Sequence, residues 1–179
     1  AGAYQEVIKY PPPNNKVFGY AHYKRAYVYW NKGEFPRALD EFKKTIEYGQ
    51  QYSQLPNSKE LANSARRDMV PVYALAGKPD KAYDFFKPLS GDSGVNSEKT
   101  FKMMDDLGQN YLDTGHYPEA IALYKDLMTR DRGGRSCVYQ AHITEATMAM
   151  KSNAKDAIVK EVDNQVREMH ALFPPLIAE

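Results

Sequence analysis

A spaced pattern of four residues occurs three times in this 179-residue chain and constrains its fold more than any other feature. Each occurrence reads Tyr, three residues, Gly, four residues, Ala, three residues, then Phe or Tyr. The three sets are Tyr29, Gly33, Ala38 and Phe42; Tyr73, Gly77, Ala82 and Phe86; and Tyr111, Gly115, Ala120 and Tyr124. A fixed spacing of this kind predicts a repeat architecture, in which one supersecondary unit recurs along the chain.

The residue types predict a helical hairpin at each occurrence. We expect the Gly to end one helix in a left-handed conformation, which costs little without a Cβ atom. Pro36, Pro79 and Pro118 follow closely and suit the first turn of the next helix, where a backbone N–H is not needed. The Ala lets two helices approach closely, and the aromatic residue four positions later lies on the same helical face.

The first helix of each hairpin should lie upstream of the Gly. We expect these helices over Lys24–Asn31, Arg66–Ala76 and Met103–Thr114. Ala26 and Gly108 place a small residue where two helices must approach, whereas Val70 fits that position less well. Pro71 should kink the second helix or shift its start, because it removes a hydrogen bond and clashes with the preceding turn.

These residues resemble the tetratricopeptide repeat, and the resemblance covers nearly the whole chain. It implies an all-α fold, a right-handed α-solenoid of stacked helix-turn-helix hairpins with a concave groove. The usual repeat is about 34 residues. Here Gly33 and Gly77 are 44 residues apart, and Gly77 and Gly115 are 38 apart. We expect the extra residues in lengthened connections at 50–58 and 91–97.

The pattern predicts a single array, 1–179, that begins inside a longer protein. Its expected parts are the end of a preceding repeat (1–15), three repeats (16–56, 57–96 and 97–134) and a degenerate repeat with capping helices (135–179). In the last part we expect helices over Ser136–Lys151 and Ala154–Phe173. Val162, Val166 and Met169 recur there at helical spacing.

In tetratricopeptide proteins the first helix of each hairpin lines the groove, and the resemblance assigns groove positions to this chain. The implied groove residues are Tyr20, Tyr23, Lys24, Tyr27, Trp30 and Asn31; Ser64, Arg67, Asp68 and Leu75; and Lys102, Asp105, Asp106, Gln109 and Asp113. Aromatic side chains beside charges are typical of protein-binding hot spots, so we expect Tyr27 and Trp30 to contact a partner. Tyr23 fits packing between helices equally well.

One subclass of the family clamps the C-terminal carboxylate of chaperones with Lys, Asn and Arg at set groove positions. Tyr23 and Tyr27 stand at the corresponding positions of the first hairpin, and neither side chain supplies the required charge. Asp105 and Asp106 would repel an acidic tail. The sequence therefore predicts that this chain does not bind such tails.

The charge and hydropathy pattern restrict the kind of partner. The 24 basic and 23 acidic residues are well mixed and leave a formal net charge of +1, without the basic stripe of nucleic-acid-binding proteins. The densest basic cluster, Arg130, Arg132 and Arg135, is typical of a solvated loop. No apolar run approaches the roughly 20 residues that span a bilayer. We expect a protein or peptide partner, no nucleic acid and no membrane insertion, and leave the oligomeric state open.

No motif indicates catalysis, a metal site or a cofactor. The segment Gly91–Gly94 (GDSG) matches the string around the nucleophile of trypsin-like proteases, but no strand pattern places a base and an acid beside it, and we expect a flexible connection. His142 and Glu145 lie one helical turn apart near Cys137, yet a metal site needs three or four ligands. We therefore expect no catalytic residues, no metal ligands and no cofactor.

The favoured hypothesis is a scaffold that docks a partner polypeptide in the groove. A structural spacer that assembles through its end helices or convex surface is the alternative, and an enzyme with a site outside known motifs is the third hypothesis. The Tyr-rich hairpins and the segment Tyr4–Pro11 resemble tetratricopeptide proteins of bacterial cell envelopes, including those of gliding-motility machinery. That resemblance implies a periplasmic location, with a cytoplasmic scaffold as the alternative.

Overall fold

All regular structure in the computed structural model is helical within the residues it describes, which are 2–131, 134–150 and 155–172. The α-helices are α1 (Gly2–Val7), α2 (Phe18–Asn31), α3 (Phe35–Gln51), α4 (Ser58–Ala76), α5 (Ala82–Phe86), α6 (Glu98–Asp113), α7 (Tyr117–Arg130), α8 (Ser136–Ala149) and α9 (Lys155–Leu172). A 3₁₀ turn, Pro79–Lys81, precedes α5. The expected all-α class is confirmed at this level.

The chain forms two compact units, residues 1–107 and 108–179, and the boundary between them falls within α6. In the first unit α3 packs against both α2 and α4, and α2 also touches α4. In the second unit α8 packs against both α7 and α9. The five parts expected from the sequence are a finer division than these two units, and they stay a prediction.

The small and aromatic residues of the repeat pattern lie in the interior, as predicted. Ala38, Ala82 and Ala120 are fully buried, and the aromatic residue four positions after each is also buried. Gly108 has the close contact expected of a small residue, because a Cβ atom there would lie 2.2 Å from the Tyr124 hydroxyl oxygen. The first Tyr of the pattern differs: Tyr29 is only half-buried.

The glycines that end the first helices do not all have the same role. Gly33 and Gly115 have φ angles of 72° and 75°, the left-handed conformation that was predicted. Gly77 is extended, with φ −84° and ψ 168°, so the prediction of a left-handed cap is wrong there. A Cβ atom at residue 77 would lie 2.3 Å from the Tyr73 ring, so Gly77 is needed for space rather than for its backbone angles.

The prolines confirm two helix starts and correct one expectation. Pro36 and Pro118 lie in the first turns of α3 and α7. Pro79 opens the 3₁₀ turn, and α5 after it has only five residues. Pro88 accounts for that short length, because it has no backbone N–H to continue the helical hydrogen bonds, although Lys87 before it still has helical angles (φ −50°, ψ −50°). The second helix of the second hairpin, α5, is therefore much shorter than the second helix of the first hairpin, α3.

Pro71 lies inside α4 without stopping it. The helix begins at Ser58, eight residues before the predicted start at Arg66, and continues to Ala76. Pro71 therefore does not shift the start of the helix, and that part of the prediction is wrong. Packing of the buried face of α4, which includes Ala65 and Met69, outweighs the hydrogen bond lost at the proline.

The helices expected near the end of the chain are present as α8 and α9. The predicted ends at Lys151, Ala154 and Phe173, like Arg132 of the basic cluster, lie outside the described residues. The predicted stripe of Val162, Val166 and Met169 is half-buried on α9. One face of α9 therefore packs in the second unit, as the helical spacing predicted.

Two asparagine substitutions distinguish the two roles of glycine. Because Asn tolerates the left-handed conformation, Gly33→Asn should lower the free energy of unfolding by less than about 1 kcal/mol. Gly77→Asn must displace the Tyr73 ring, which should cost about 1–3 kcal/mol. Urea denaturation of both variants measures the difference. Equal losses, or a larger loss at Gly33, would contradict this assignment.

Candidate protein-binding surface

Three aromatic side chains predicted to line a groove surround one buried ring. Phe42, from α3, is fully buried. The ring centroids of Tyr23, Tyr27 and Trp30, all on α2, lie 5.9, 5.7 and 6.5 Å from its centroid at steep angles. Each of the three is half-buried, so one part of each ring packs on Phe42 and another part remains accessible. Tyr23 therefore packs in the fold and also reaches the surface.

The carboxylate of Asp68 fixes the two tyrosines from the neighbouring helix α4. The Tyr23 hydroxyl donates to Asp68 Oδ2 at 2.5 Å, and the Tyr27 hydroxyl donates to the same oxygen at 2.7 Å. Arg67 Nε donates to Asp68 Oδ1 at 3.0 Å. We call Tyr23, Tyr27, Trp30 and Asp68 the aromatic–Asp68 cluster. Both of its helices belong to the first unit, so its geometry is set within one compact body.

The hydrogen bonds of the cluster shift the ionisation of its members. Burial alone would raise the pKa of the Asp68 carboxyl, but the bonds from Tyr23, Tyr27 and Arg67 outweigh it and hold that pKa below its ordinary value. Burial raises the pKa of Tyr23, and the bond to Asp68 raises it further. Burial also raises the pKa of Tyr27. Near neutral pH, Asp68 is therefore ionised and both phenols keep their protons.

The remaining predicted residues of α2 extend this surface. Lys24 Nζ lies 5.2 Å from the centroid of the Tyr20 ring and 6.0 Å from that of Tyr23, which is cation–π distance. Tyr20 is 48% exposed, so about half of its surface is open to a ligand. Asn31 is exposed at the last position of the helix. Aromatic side chains and one cation, Lys24, thus form a continuous surface along α2 from Tyr20 to Trp30.

Tyr29 takes a different direction from its neighbour Trp30. Its ring lies 5.7 Å from the guanidinium carbon of Arg25 and 5.6 Å from that of Arg37. Its hydroxyl accepts a hydrogen bond from Arg25 Nη2 at 3.2 Å. These contacts are separate from those of Trp30, so the two adjacent aromatic side chains point in different directions. Trp30, not Tyr29, belongs to the cluster.

Arg67 and Asp106 border a cavity next to the cluster. The cavity has a volume of about 430 Å³. Its lining residues are Asn63, Arg66, Arg67, Ser90, Lys99, Lys102, Met103 and Asp106. We call it the basic cavity, because four of these side chains are cationic and one is a carboxylate. Arg67 joins it to the cluster through its bond to Asp68.

Asp105 and Gln109 are among the predicted groove residues that do not join this arrangement. Asp105 is exposed on α6 and is not among the residues that line the basic cavity. Gln109 belongs to the second unit, where its Nε2 donates to Asp113 Oδ1 at 2.7 Å on the same helix. The structure therefore brings together the predicted residues of α2 with Arg67, Asp68 and Asp106.

Asp92, which lies within the GDSG segment, has a structural role that the sequence did not predict. Its carboxylate accepts hydrogen bonds from the backbone N–H groups of Lys99 (3.1 Å) and Thr100 (2.8 Å) and from the Thr100 hydroxyl (2.7 Å). These bonds hold the connection before α6 against the first turn of that helix. Asp92 stands six residues before α6, whereas a capping residue directly precedes its helix, so local spacing gives no signal for this role.

His142 and Glu145, considered above as metal ligands, have other contacts. The His142 ring stacks on Tyr124 at 4.9 Å, and its Nδ1 lies 3.4 Å from Glu145 Oε2. Across the described residues, no group of three His, Cys, Asp or Glu side chains is arranged to hold a metal ion. His142 therefore contributes to packing in the second unit.

Comparison with family models, curated proteins and solved structures found no match to this chain. The tetratricopeptide resemblance therefore stays an interpretation of the residue pattern. Among the described helices, none is long and apolar enough to cross a membrane.

Removing the hydroxyls that bind Asp68 tests the cluster. Tyr23→Phe/Tyr27→Phe should lower the free energy of unfolding at pH 7 by about 1–3 kcal/mol, because a part-buried carboxylate loses two donors. The folded-state pKa of Asp68 is below its unfolded value, so its contribution is present above the unfolded pKa and is lost as the pH falls. The variant should therefore lose less stability than the parent between pH 5 and roughly pH 3.

Tyr20→Phe is the matched control, since the Tyr20 hydroxyl makes no hydrogen bond within the described residues. It should leave stability and acid dependence unchanged. Denaturant titrations at several pH values measure all three proteins. An unchanged acid dependence in the double variant would show that the hydroxyls do not control the Asp68 carboxyl.

Proposed function

We propose that this chain is a non-enzymatic interaction scaffold that binds a partner polypeptide at the aromatic–Asp68 cluster and the flanking Tyr20–Lys24 pair. The proposal rests on one observation: the part-exposed rings of Tyr23, Tyr27 and Trp30 all pack against the buried ring of Phe42. In the fuller form of the proposal, this surface belongs to the concave groove of a tetratricopeptide superhelix.

The rigidity of the cluster supports binding. A ligand loses affinity when side chains must be ordered on association, and preorganised side chains avoid that cost. Tyr23 and Tyr27 are already fixed by Phe42 below and by Asp68 at their hydroxyl ends. Trp30 is fixed by contact with both Tyr27 and Phe42. Aromatic anchors held in this way are the residues that dominate protein interfaces.

The negative charge of Asp68 is stabilised by hydrogen bonds from the protein itself and is not available to a partner. Both of its oxygens accept hydrogen bonds from the chain, and its side chain is only 12% exposed. Asp68 is thus a positioning residue, while the ring faces of Tyr27, Trp30 and Tyr20 supply the contact area. Lys24 adds a positive charge at the edge, which favours a partner segment that combines an apolar or aromatic side chain with an acidic one.

The ionisation of the cluster favours binding over catalysis. A general acid or base works best when its pKa lies near the operating pH. The pKa values of Tyr23 and Tyr27 are raised and that of Asp68 is lowered, so each moves away from neutrality. These groups are suited to holding a fixed shape and not to transferring protons.

The proposed setting is a periplasmic assembly of a bacterial cell envelope or motility machine, because the Tyr-rich hairpins resemble proteins of that kind. A cytoplasmic scaffold is the alternative location. A structural spacer that assembles through its end helices or convex surface is the alternative role. In that case, substitutions in the cluster would leave assembly unchanged.

Affinity capture from cell-envelope and cytosolic fractions tests the proposal. The parent chain should retain specific proteins, and Tyr27→Ala/Trp30→Ala should lose them by at least about tenfold, since each hot-spot aromatic contributes about 2 kcal/mol or more. The fraction in which they are found identifies the compartment. Helical circular dichroism must match the parent.

Tyr52→Ala is the control for loss of a part-exposed aromatic. The Tyr52 ring contacts that of Tyr48 in the same unit, with centroids 5.5 Å apart, and makes no ring contact with the cluster within the described residues. It should retain the same proteins as the parent. Equal capture by the parent and the Tyr27→Ala/Trp30→Ala variant would reject the cluster as the binding surface and favour the spacer.

A further inference from the structure

The basic cavity brings four cations together, and carboxylates of the protein neutralise this charge only in part. Arg66, Arg67, Lys99 and Lys102 line it together with one carboxylate, Asp106. The neighbouring Asp68 is bonded to Arg67. The other three cations form no ion pair with a carboxylate within the described residues, whereas Lys43, Lys44 and Arg130 on other helix faces each pair with a carboxylate of the same helix.

Arg66 shows this most clearly. Its Nε donates to the Leu89 carbonyl oxygen at 2.6 Å, and its Nη1 donates to Asn63 Oδ1 at 2.7 Å. Both acceptors are neutral, and burial lowers the pKa of its guanidinium. Its Nη2 lies 3.3 Å from the position a Cβ atom would take at Gly91 and makes no hydrogen bond to the described residues. A half-buried cation with free donors is stabilised when an anion binds beside it.

The two lysines have the same property. Lys99 Nζ donates only to the Gly91 carbonyl oxygen, at 3.1 Å, which leaves its charge without a carboxylate partner. Lys102 lies one helical turn further along α6 and forms no ion pair in the part of the chain that the structure describes. Residues three apart on a helix share a face, so both ammonium groups point toward one side of α6.

The backbone amides at the start of α6 are not available to a ligand. Asp92 already accepts the N–H groups of Lys99 and Thr100. An anion in the cavity must therefore be held by side chains. Arginine and lysine side chains around a small cavity favour an oxyanion, because guanidinium forms paired hydrogen bonds with such groups and ammonium adds a point charge.

We infer that the basic cavity binds a phosphomonoester group through Arg66, Lys99, Lys102 and Arg67. Three cations without carboxylate partners match a group that carries nearly two negative charges better than a single carboxylate, which one arginine can satisfy. The cavity volume of about 430 Å³ is in the range of small-ligand pockets and leaves room for the atoms that carry the phosphate. The inference goes beyond the proposed function, because Arg66, Lys99 and Lys102 lie outside the aromatic–Asp68 cluster.

Asp106 opposes this binding and provides a test of opposite sign. Its carboxylate lines the same cavity and repels an anion. Removing that charge should therefore strengthen binding, whereas removing a lysine should weaken it. A variant that improves binding cannot be explained by damage to the fold.

Titration of the full chain with O-phosphoserine, followed by amide and Arg Nε–H chemical shifts and by calorimetry, tests the inference. We expect saturable shifts at Arg66, Ser90 and Lys102. Lys99→Gln and Lys102→Gln should each weaken binding about tenfold, as expected for loss of one charge-assisted contact. Asp106→Asn should strengthen it by about threefold or more, and added salt should weaken it.

Lys32→Gln is the matched control, since it removes an exposed cation at the end of α2 that does not line the cavity. Its affinity should equal that of the parent. Inorganic phosphate and a phosphoserine-containing peptide are compared with the free amino acid. A gain in affinity for the peptide identifies a phosphorylated chain as the source, whereas equal affinity for free O-phosphoserine identifies a small phosphomonoester, and both support the site.

Two results would overturn the inference. One is the absence of saturable shifts with any of the three phosphates. The other is a set of lysine variants that bind as well as the parent, with Lys32→Gln changing affinity as much as they do. Because Tyr27→Ala/Trp30→Ala leaves Arg66, Lys99 and Lys102 in place and affects Arg67 only through Asp68, it should weaken binding of O-phosphoserine less than either lysine substitution does, which separates failure of this site from failure of the proposed protein-binding surface.

Discussion

The shared contact of Tyr23 and Tyr27 with Asp68 is the interaction on which the candidate surface depends. It joins α2 to α4, and Phe42 of α3 packs against the same two rings. Without the carboxylate, the two hydroxyls would have to find water, and the rings would be free to turn. With it, the surface is fixed before any partner arrives, and Arg67 extends the network to the neighbouring cavity.

The close approach of helices explains why much of the fold could be predicted from the sequence. Ala38, Ala82 and Ala120 are fully buried. A larger side chain at any of these positions would separate the helices, so the spacing of the alanines predicts where two helices pack together. The same holds for Gly108, where the Tyr124 hydroxyl occupies the space of a side chain. The residues of α2 in the cluster were also predictable, because their spacing places them on one helical face.

The parts that could not be predicted depend on contacts between residues far apart in sequence. Gly77 has the same spacing as Gly33, yet the position of the Tyr73 ring gives it a different role. Likewise, Arg66 and Lys99 lie in separate helices, and nothing in their local sequence indicates that both border one cavity. The local residue pattern predicts on which face of a helix a side chain lies. The residues that this side chain contacts depend on how the helices pack and on the connections between them, such as the segment before α6 that Asp92 holds in place.

The most direct test of the central claim is site-specific photo-crosslinking in the native cell, with the photoreactive amino acid p-benzoylphenylalanine placed in turn at Tyr20, at Trp30 and, as the control, at Tyr52. We expect the probes at Tyr20 and Trp30 to crosslink to the same polypeptide and the probe at Tyr52 not to crosslink to it. Crosslinks from all three positions alike, or from the control alone, would contradict the assignment of the α2 surface as the place where a partner binds.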